Sequence, residues 1–360
     1  MTKSLFTILA DSKQNTRQEF QIFLFKKCNL SCSFCFFSKE DLKSNDNGLN
    51  TIIFQAFDLV KQIKQIEEAT KTSKQYTINI MGGEVFSDFI DNKYFEDYFQ
   101  YCKIIKTQLE IPYNLDIEYN FITNLVYSNL DRVKNLYYRL KAIDVNVSIG
   151  TSYDFSGRFN SKTKSIFNEN INNLPQSICN SISIVLTKQN IRKLLTNSDN
   201  LFKEYYNKGY NIYFDHFSPS ESNPNSVKLC PSEVEIYQAF SFLRDIYPNT
   251  YPVKDLLKNS ANSMSCRRSL VVKDNSPCGN CRNLDCTSRD FNLDSANSGL
   301  DNVDIETSFL QKYNCMTCPY FKRCPLSCFL LNSYRYFESS KECQMRRFFE
   351  ESEGLGCLQN

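Results

Sequence analysis

Cys28-Asn29-Leu30-Ser31-Cys32-Ser33-Phe34-Cys35 puts three thiols within eight residues, directly after the β-rich run Phe20–Phe25. No fourth cysteine lies close. A structural zinc site wants four tetrahedral ligands, usually arriving as two pairs, so a compact triplet suits zinc poorly and suits an iron–sulfur cube with one iron left open. A loop at the carboxyl end of a parallel strand is also where α/β folds carry their chemistry.

Working outward from that loop, five more runs rich in Ile, Val, Phe or Tyr read as strands: Tyr76–Met81, Asp116–Ile122, Asp144–Ile149, Ser181–Leu186 and Asn211–His216. Between them, Ile52, Ile53, Ala56, Leu59, Val60, Ile63 and Ile66 recur at helical spacing, as do Tyr94, Phe95, Tyr98, Phe99, Cys102 and Ile105. The alternation βαβαβαβαβαβ demands parallel strands joined by right-handed helical crossovers, and both an open doubly wound sheet and a partial α/β barrel satisfy it. From Ser218 the texture changes to a Ser/Pro/Asn stretch, followed by one helical pattern from Pro231 to Leu243. Cys266 to Cys343 then holds nine of the sixteen cysteines with little apolar periodicity, as expected of a region whose structure is imposed by metal. The expected organisation is a barrel over residues 1–217, a linker and bridging helix over 218–260, a cysteine-rich domain over 261–348 and a tail over 349–360.

Composition narrows the function classes. Forty-two Lys plus Arg against forty Asp plus Glu give a net charge of +2, which removes any global electrostatic reason for nucleic-acid or anionic-membrane binding. The longest apolar runs are too short to span a bilayer, and Met1 to Ala10 lacks a signal peptide's apolar segment, so a cytoplasmic location is expected. In reducing cytosol sixteen cysteines imply metal ligation rather than disulfides. The single histidine, His216, argues against histidine-rich zinc sites and Ser-His-Asp triads. Ending the sixth strand, it is a candidate proton donor or acceptor facing the barrel cavity.

The triplet resembles the signature of the radical S-adenosylmethionine (SAM) superfamily, Cys-x3-Cys-x2-Cys with an aromatic residue, here Phe34, before the last cysteine. The resemblance implies a partial (β/α)6 barrel and a [4Fe–4S] cluster on Cys28, Cys32 and Cys35, its open iron chelated by SAM. A 5′-deoxyadenosyl radical then abstracts hydrogen from the substrate, the cofactor carrying the hard chemistry. Met81-Gly82-Gly83-Glu84 looks like the family's Gly-Gly-Glu, where small residues admit SAM and a carboxylate faces its ammonium. Thr123-Asn124 is similar to a ribose-side Thr-Asn. Ser148 and Arg158 resemble the Ser and Arg that bind ribose and the SAM carboxylate, and the run from Val185 and Leu186 to Asn190 resembles the adenine side. Three departures stand out: Ser148-Ile149-Gly150 where relatives often have Ser-x-Asp, Val85 where many have Pro, and Leu125 where many have Gly.

Farther on, Cys315-x2-Cys318-x5-Cys324-x3-Cys328, then fourteen residues and Cys343, resembles the SPASM extension of radical SAM peptide and protein maturases. By that resemblance Cys315, Cys318, Cys324 and Cys343 ligate one auxiliary [4Fe–4S] cluster, and Cys328 reaches a second that draws on Cys266 and a partner among Cys278, Cys281 and Cys286. The usual Gly-x4-Cys is not met, since Lys273 and Cys281 stand at the glycine positions; Cys230 and Cys357 are outside candidates. A pair of four-cysteine zinc sites is the alternative. Cys102 and Cys179 read as core residues.

The resemblance implies an oxidoreductase acting on a peptide or protein side chain, in particular a ribosomally made precursor peptide (RiPP). It also implies a flavodoxin- or ferredoxin-type reductant. A sulfatase-maturing enzyme is the nearest alternative, and a non-catalytic metal-binding or electron-transfer protein an alternative of another class. Because nineteen residues precede the first strand, leader recognition is expected to fall to a separate leader-peptide-binding protein or to the SPASM surface.

Overall fold

The computed structural model describes residues 18–43, 47–70, 75–217, 220, 223–258, 269–273, 276–277, 311, 314–321, 323–324 and 342–357. In chain order these form β1 (Gln18–Phe23), α1 (Ile52–Thr70), β2 (Gln75–Met81), α2 (Asn92–Ile105), β3 (Asp116–Thr123), α3 (Leu130–Ala142) and β4 (Asn146–Tyr153). There follow α4 (Ser161–Asn173), β5 (Ser181–Leu186), α5 (Lys188–Leu195), α6 (Asn200–Asn207), β6 (Asn211–His216), α7 (Glu233–Ile246) and α8 (Val253–Leu257). Last come β7 (Ser269–Lys273), β8 (Ser276–Pro277) and α9 (Gln344–Gly354). The sheet order is β6-β5-β4-β3-β2-β1-β7-β8, with every pair from β6 to β7 parallel and β8 antiparallel. Six parallel strands in sequential order with helical crossovers make an α/β half-barrel, a partial (β/α)6 barrel. β7, which comes from the cysteine-rich region, adds to the sheet beside β1.

Strict alternation along the strands separates two faces. Phe20, Ile22, Tyr76, Ile78, Ile80, Ile117, Tyr119, Phe121, Ile182, Ile184, Ile212 and Phe214 are all buried, and rings of the helices meet them: Tyr98 on Phe121 at 6.0 Å, Phe167 on Tyr153 at 5.7 Å, Phe202 on Phe214 at 5.9 Å. The opposite face is polar. Asn79 donates to Glu19, Asn120 to Asn79, and Ser148 to Asn120, a ladder across four strands that satisfies the inner face of the half-barrel. A parallel sheet covered by helices on both faces would be apolar on both.

Two expected strands shift. β1 runs two residues earlier than the pattern suggested. β4 begins at Asn146 rather than Asp144 and continues to Tyr153. Asp144 takes φ 59°, a left-handed turn between α3 and β4 that a strand does not contain, and Gly150 to Tyr153 pair with β5. β5 and β6 lie where the sequence indicated.

Beyond the sheet, β1 and β2 keep running side by side. The N–H of Leu24 donates to Met81 O at 2.9 Å, that of Gly83 to Phe25 O at 2.9 Å and that of Glu84 to Lys27 O at 3.1 Å. A Cβ on Gly83 would lie 1.8 Å from the Lys27 carbonyl oxygen and 2.3 Å from that of Lys26, so the backbones themselves fill the space. Gly83→Ala must push the chain before Cys28 away. We expect a loss of about 1–3 kcal/mol in urea unfolding, the scale of overpacking, together with faster alkylation of Cys28. Unchanged stability and labelling would show that the contact is slack.

Candidate functional site

The segment after β1 forms a compact loop at the strand's carboxyl end. Cys28 N–H donates to Leu42 O at 3.1 Å, closing it, and Phe23, Phe37 and Leu42 make a small core against which Cys28, Cys35, Phe36 and Met81 pack. Phe36 lies 4.9 Å from Phe23 and 4.4 Å from Phe37, ring to ring. The triplet therefore rests on apolar packing and not on a network of water-exposed groups. Burial pushes the Cys28 thiol up to about 12, and the Glu84 carboxylate and the thiols of Cys32 and Cys35 add to the rise.

Three strand ends converge on this loop. From β2, Glu84 is 1% exposed and has both carboxylate oxygens engaged. Oε1 accepts from Thr123 Oγ1 at 2.6 Å and from the Phe86 N–H at 3.0 Å, and Oε2 accepts from the Asn124 N–H at 2.6 Å. The carboxylate thus staples β2 to β3, which differs from the expectation that it faces a ligand ammonium. Gly82 and Gly83, likewise, admit the backbone of residues 25–27, Gly82 with a Cβ site 2.9 Å from Phe25 O. From β3, Thr123 also accepts the Thr151 hydroxyl on its carbonyl at 2.9 Å, and the Asn124 side chain reaches the cysteine loop, donating to Asn29 Oδ1 at 2.8 Å. Leu125 follows at φ 56°, a left-handed conformation rare for a bulky residue. Glycine adopts that conformation freely. Asn170 holds the turn by donating to Leu125 O at 2.9 Å and Tyr127 O at 2.7 Å.

From β4, the contributing residues are Ser152 and Asp154. Ser148 sits lower in the strand, bonded to Asn120 at 3.3 Å, because β4 extends four residues past Ile149. The Ser-x-Asp pattern missing at Ser148 occurs as Ser152-Tyr153-Asp154. Asp154, 3% exposed, accepts from Asn190 Nδ2 at 2.6 Å and from the N–H groups of Ser156 and Arg158, each at 3.0 Å. Those bonds shape a turn in which Gly157 takes φ 107° and its Cβ site faces Ser33 Oγ at 3.2 Å. Arg158 then donates to Ser152 O at 2.7 Å and to Ser152 Oγ, and its guanidinium lies 5.2 Å from the centre of the Phe34 ring. Burial opposes the charge on Arg158, but Cys32 and Asp154 beside it outweigh that and raise its pKa above the ordinary value. Phe34 and Arg158, singled out separately in the sequence, meet here; Asn190, named in the run after β5, bonds Asp154, a residue the sequence reading missed.

Two candidates lie on the other face. Leu186, 1% exposed, pairs in register with His216, and both stand on the helix-facing side of the sheet. The His216 ring packs edge to face on Phe240 of α7 at 5.5 Å, and burial pushes its pKa down to about 4. The expectation that His216 faces the barrel cavity is not met. Phe214, two residues earlier on the same face, is buried against α6, and alternation carries His216 to that side.

A second site lies under α7. Cys315, Cys318, Cys324 and Cys343 line one cavity of about 140 Å³ together with Glu233, Ile236, Tyr320, Phe321 and Phe349. Cys315–Thr317 is a single 3₁₀ turn, Cys324 N–H donates to Tyr320 O at 2.8 Å, and Cys343 immediately precedes α9. Tyr320 stacks on Phe349 at 4.9 Å. Burial pushes Cys315 up to about 12, with Cys343 and Cys318 adding to it. Cys266, Cys278, Cys281, Cys286 and Cys328 lie outside the described residues. Cys230 and Cys357 do not line the cavity, and Cys102 and Cys179 are buried in the core. Among the described residues no three His, Cys, Asp or Glu side chains have the arrangement of a single-ion site, and no helix is long and apolar enough to cross a membrane.

No protein-family model matches the chain, and none of the curated proteins does. Among solved structures it is similar to SuiB of Streptococcus suis, crystallised bound to precursor peptide SuiA. The TM-score is 0.53 at 17% identity, over 92% of this chain and 76% of that one. Coproporphyrinogen III oxidase (HemN) of Escherichia coli, described as a Radical SAM enzyme, aligns over 67% of this chain and 55% of its own, with a TM-score of 0.38 at 11% identity. The likeness to SuiB is one of fold, and it extends over nearly the whole chain.

The staple at Glu84 has a measurable pH signature. Burial raises its pKa from 4.5 to about 7, against the lowering effect of Thr123, Asn124 and Phe86. The raised value favours the protonated form in the fold, so its contribution is complete below the pKa of an exposed glutamate and is lost as the pH climbs through about 4.5 to 7. That contribution is of order 3 kcal/mol at one pH unit per ~1.4 kcal/mol. In urea unfolding across this range, Glu84→Gln should remove the corresponding slope whatever its effect on absolute stability; an unaltered slope would assign the titration elsewhere.

Proposed function

We propose that the protein is a radical SAM enzyme that modifies a side chain of a ribosomally made peptide. The observation that carries the proposal is the meeting, at one loop, of Cys28, Cys32 and Cys35 with the ends of β2, β3 and β4. The donor set suits the group: three half-buried thiols, two of them packed on an apolar core, offer soft ligands, and three ligands leave a cubic cluster one open iron. When bound, a [4Fe–4S] cluster and SAM supply an electron and a 5′-deoxyadenosyl radical that takes hydrogen from the substrate.

The chain's own residues do the rest. Arg158, anchored through Ser152, presents a guanidinium beside Cys32 and over Phe34, where a carboxylate chelating the open iron can be met by a planar fork. Ser152 replaces Ser148 in this reading. Thr123, Asn124, Gly82, Gly83 and Glu84 hold the strand ends that shape the pocket. Phe23, Phe36 and Phe37 keep water from the thiols, which protects a strongly reducing centre. Cys315, Cys318, Cys324 and Cys343 would hold an auxiliary [4Fe–4S] cluster, and Cys328, with Cys266 and one of Cys278, Cys281 and Cys286, a second. A peptide substrate is supported by the likeness to SuiB, a protein crystallised with its precursor peptide. Such chemistry belongs in the reducing cytoplasm, fed by a flavodoxin- or ferredoxin-type reductant.

Anaerobically reconstituted protein given dithionite and SAM should release 5′-deoxyadenosine, and Cys28→Ala, Cys32→Ala and Cys35→Ala combined should abolish it while some iron–sulfur absorbance persists. Product from the triple variant would sink the radical reading, and stoichiometric zinc in place of iron would favour a zinc protein. For the second site, Cys318→Ala with Cys324→Ala should leave SAM cleavage measurable and eliminate modification of the peptide, with circular dichroism reporting whether the region still folds. Homolysis needs only the open cube and a reductant, whereas completing an oxidation needs an acceptor for the substrate's second electron. A folded variant that modifies peptide at the parental rate would refute the auxiliary role.

A further inference from the structure

The Cys28 sulfur receives two N–H donors from different sources. One is local, the Leu30 N–H at 3.4 Å. The other comes from across the barrel, Asn124 Nδ2 at 3.8 Å, on a residue that is 7% exposed. Which end of the Asn124 carboxamide faces the sulfur is fixed by its neighbours: Oδ1 accepts the Val126 N–H at 2.8 Å, so the NH₂ must turn toward the cysteine loop. Its other partner there, Asn29 Oδ1 at 2.8 Å, is held in turn by Asn29 Nδ2 donating to Val126 O. The two asparagines and Val126 form a closed set of bonds in which no donor is free to rotate away.

The same residue acts on the other negative group beside the thiol. The Asn124 backbone N–H donates to Glu84 Oε2 at 2.6 Å, so one residue bonds both the sulfur and the carboxylate. Asn124 thus opposes negative charge at Cys28 through its side chain, in a buried setting where such a bond is strong, while its main-chain N–H holds the neighbouring carboxylate in place. A cluster that gains an electron grows more negative, and a donor to its ligand sulfur stabilises the reduced form more than the oxidised one.

We infer that Asn124, oriented by Asn29 and Val126, is a positioning residue that raises the reduction potential of the cluster on Cys28, Cys32 and Cys35. The inference rests on the radical SAM reading and adds a role that the resemblance to the family's ribose-side Thr-Asn does not supply. Arg158 works in the same direction from Cys32, and Glu84 against it.

The test is an EPR-monitored potentiometric titration of the full-length reconstituted protein, following the signal that changes on adding SAM. Asn124→Ser keeps an oxygen that can cap the Val126 N–H and loses the amide donor; Asn124→Asp keeps the shape and puts an oxygen where the NH₂ was. Both midpoints should move negative, Asp further than Ser, with iron content unchanged. At the parental midpoint potential the reduced-to-oxidised ratio should fall by up to about tenfold, equivalent to about 59 mV for one electron. Asn170→Ser, which loosens the same turn without touching sulfur, should leave the midpoint in place. Parental midpoints in both Asn124 variants, or an equal shift in Asn170→Ser, would overturn the inference alone. A parent protein with no SAM-responsive cluster would overturn both this inference and the radical SAM reading.

Discussion

Between the ends of β1 and β2 the two backbones approach so closely that residue 83 has no room for a side chain, and the position of Cys28 follows from that contact. A strand normally releases its chain where the sheet ends. Here three further hydrogen bonds between the two strand extensions carry the pairing from Leu24 to Lys27, so the first cysteine leaves the sheet from a paired backbone. The loop that follows is then closed by Leu42 and seated on Phe23 and Phe37. Chemistry that depends on three thiols meeting at fixed spacing gains most from rigidity at the first of them.

Around that contact, buried polar groups tie strand ends together. Glu84 joins β2 to β3, Thr151 joins β4 to Thr123, and Asp154 joins the end of β4 to Asn190 at the start of α5. The two carboxylates are desolvated and each has several donors in compensation, while the Thr151 hydroxyl donates to a main-chain carbonyl. The left-handed Leu125 belongs to the same economy of strain. A glycine there would relieve the backbone but would empty a fully buried site, and Asn170 supplies two bonds that keep the turn in place.

Much of this was legible in the chain, and the failures have physical causes. The triplet, the strand alternation and the positions of β5 and β6 follow from local pattern, which is strong where apolar residues alternate. β4 misled because the apolar alternation stops at Ile149, and pairing with β3 and β5 carries the strand on through Gly150, Thr151 and Ser152. That error hid Ser152 and Asp154, although the Ser-x-Asp pattern stood four residues downstream of where it was sought. His216 was assigned to the cavity from its place at a strand end; counting back to Phe214 would have put it on the helix side. Asn29, whose partner is 95 residues away, leaves no local signal at all.

α7 lies between the last barrel strand and the four-cysteine site. Its first turn contributes Glu233 and Ile236 to the four-cysteine cavity, and two turns on, Phe240 packs against both His216 of β6 and Phe348 of α9, at 5.5 and 6.2 Å. Tyr237 donates to Glu351, and Arg244 to Ser352 at 3.2 Å, so α9 is fastened along the length of α7. With α9 comes Cys343, the residue before its first turn. One helix therefore sets both the packing behind the last barrel strand and one wall of the second site. A histidine fits this place: its ring packs between strand and helix, and burial there lowers its pKa, so it brings no charge into the seam.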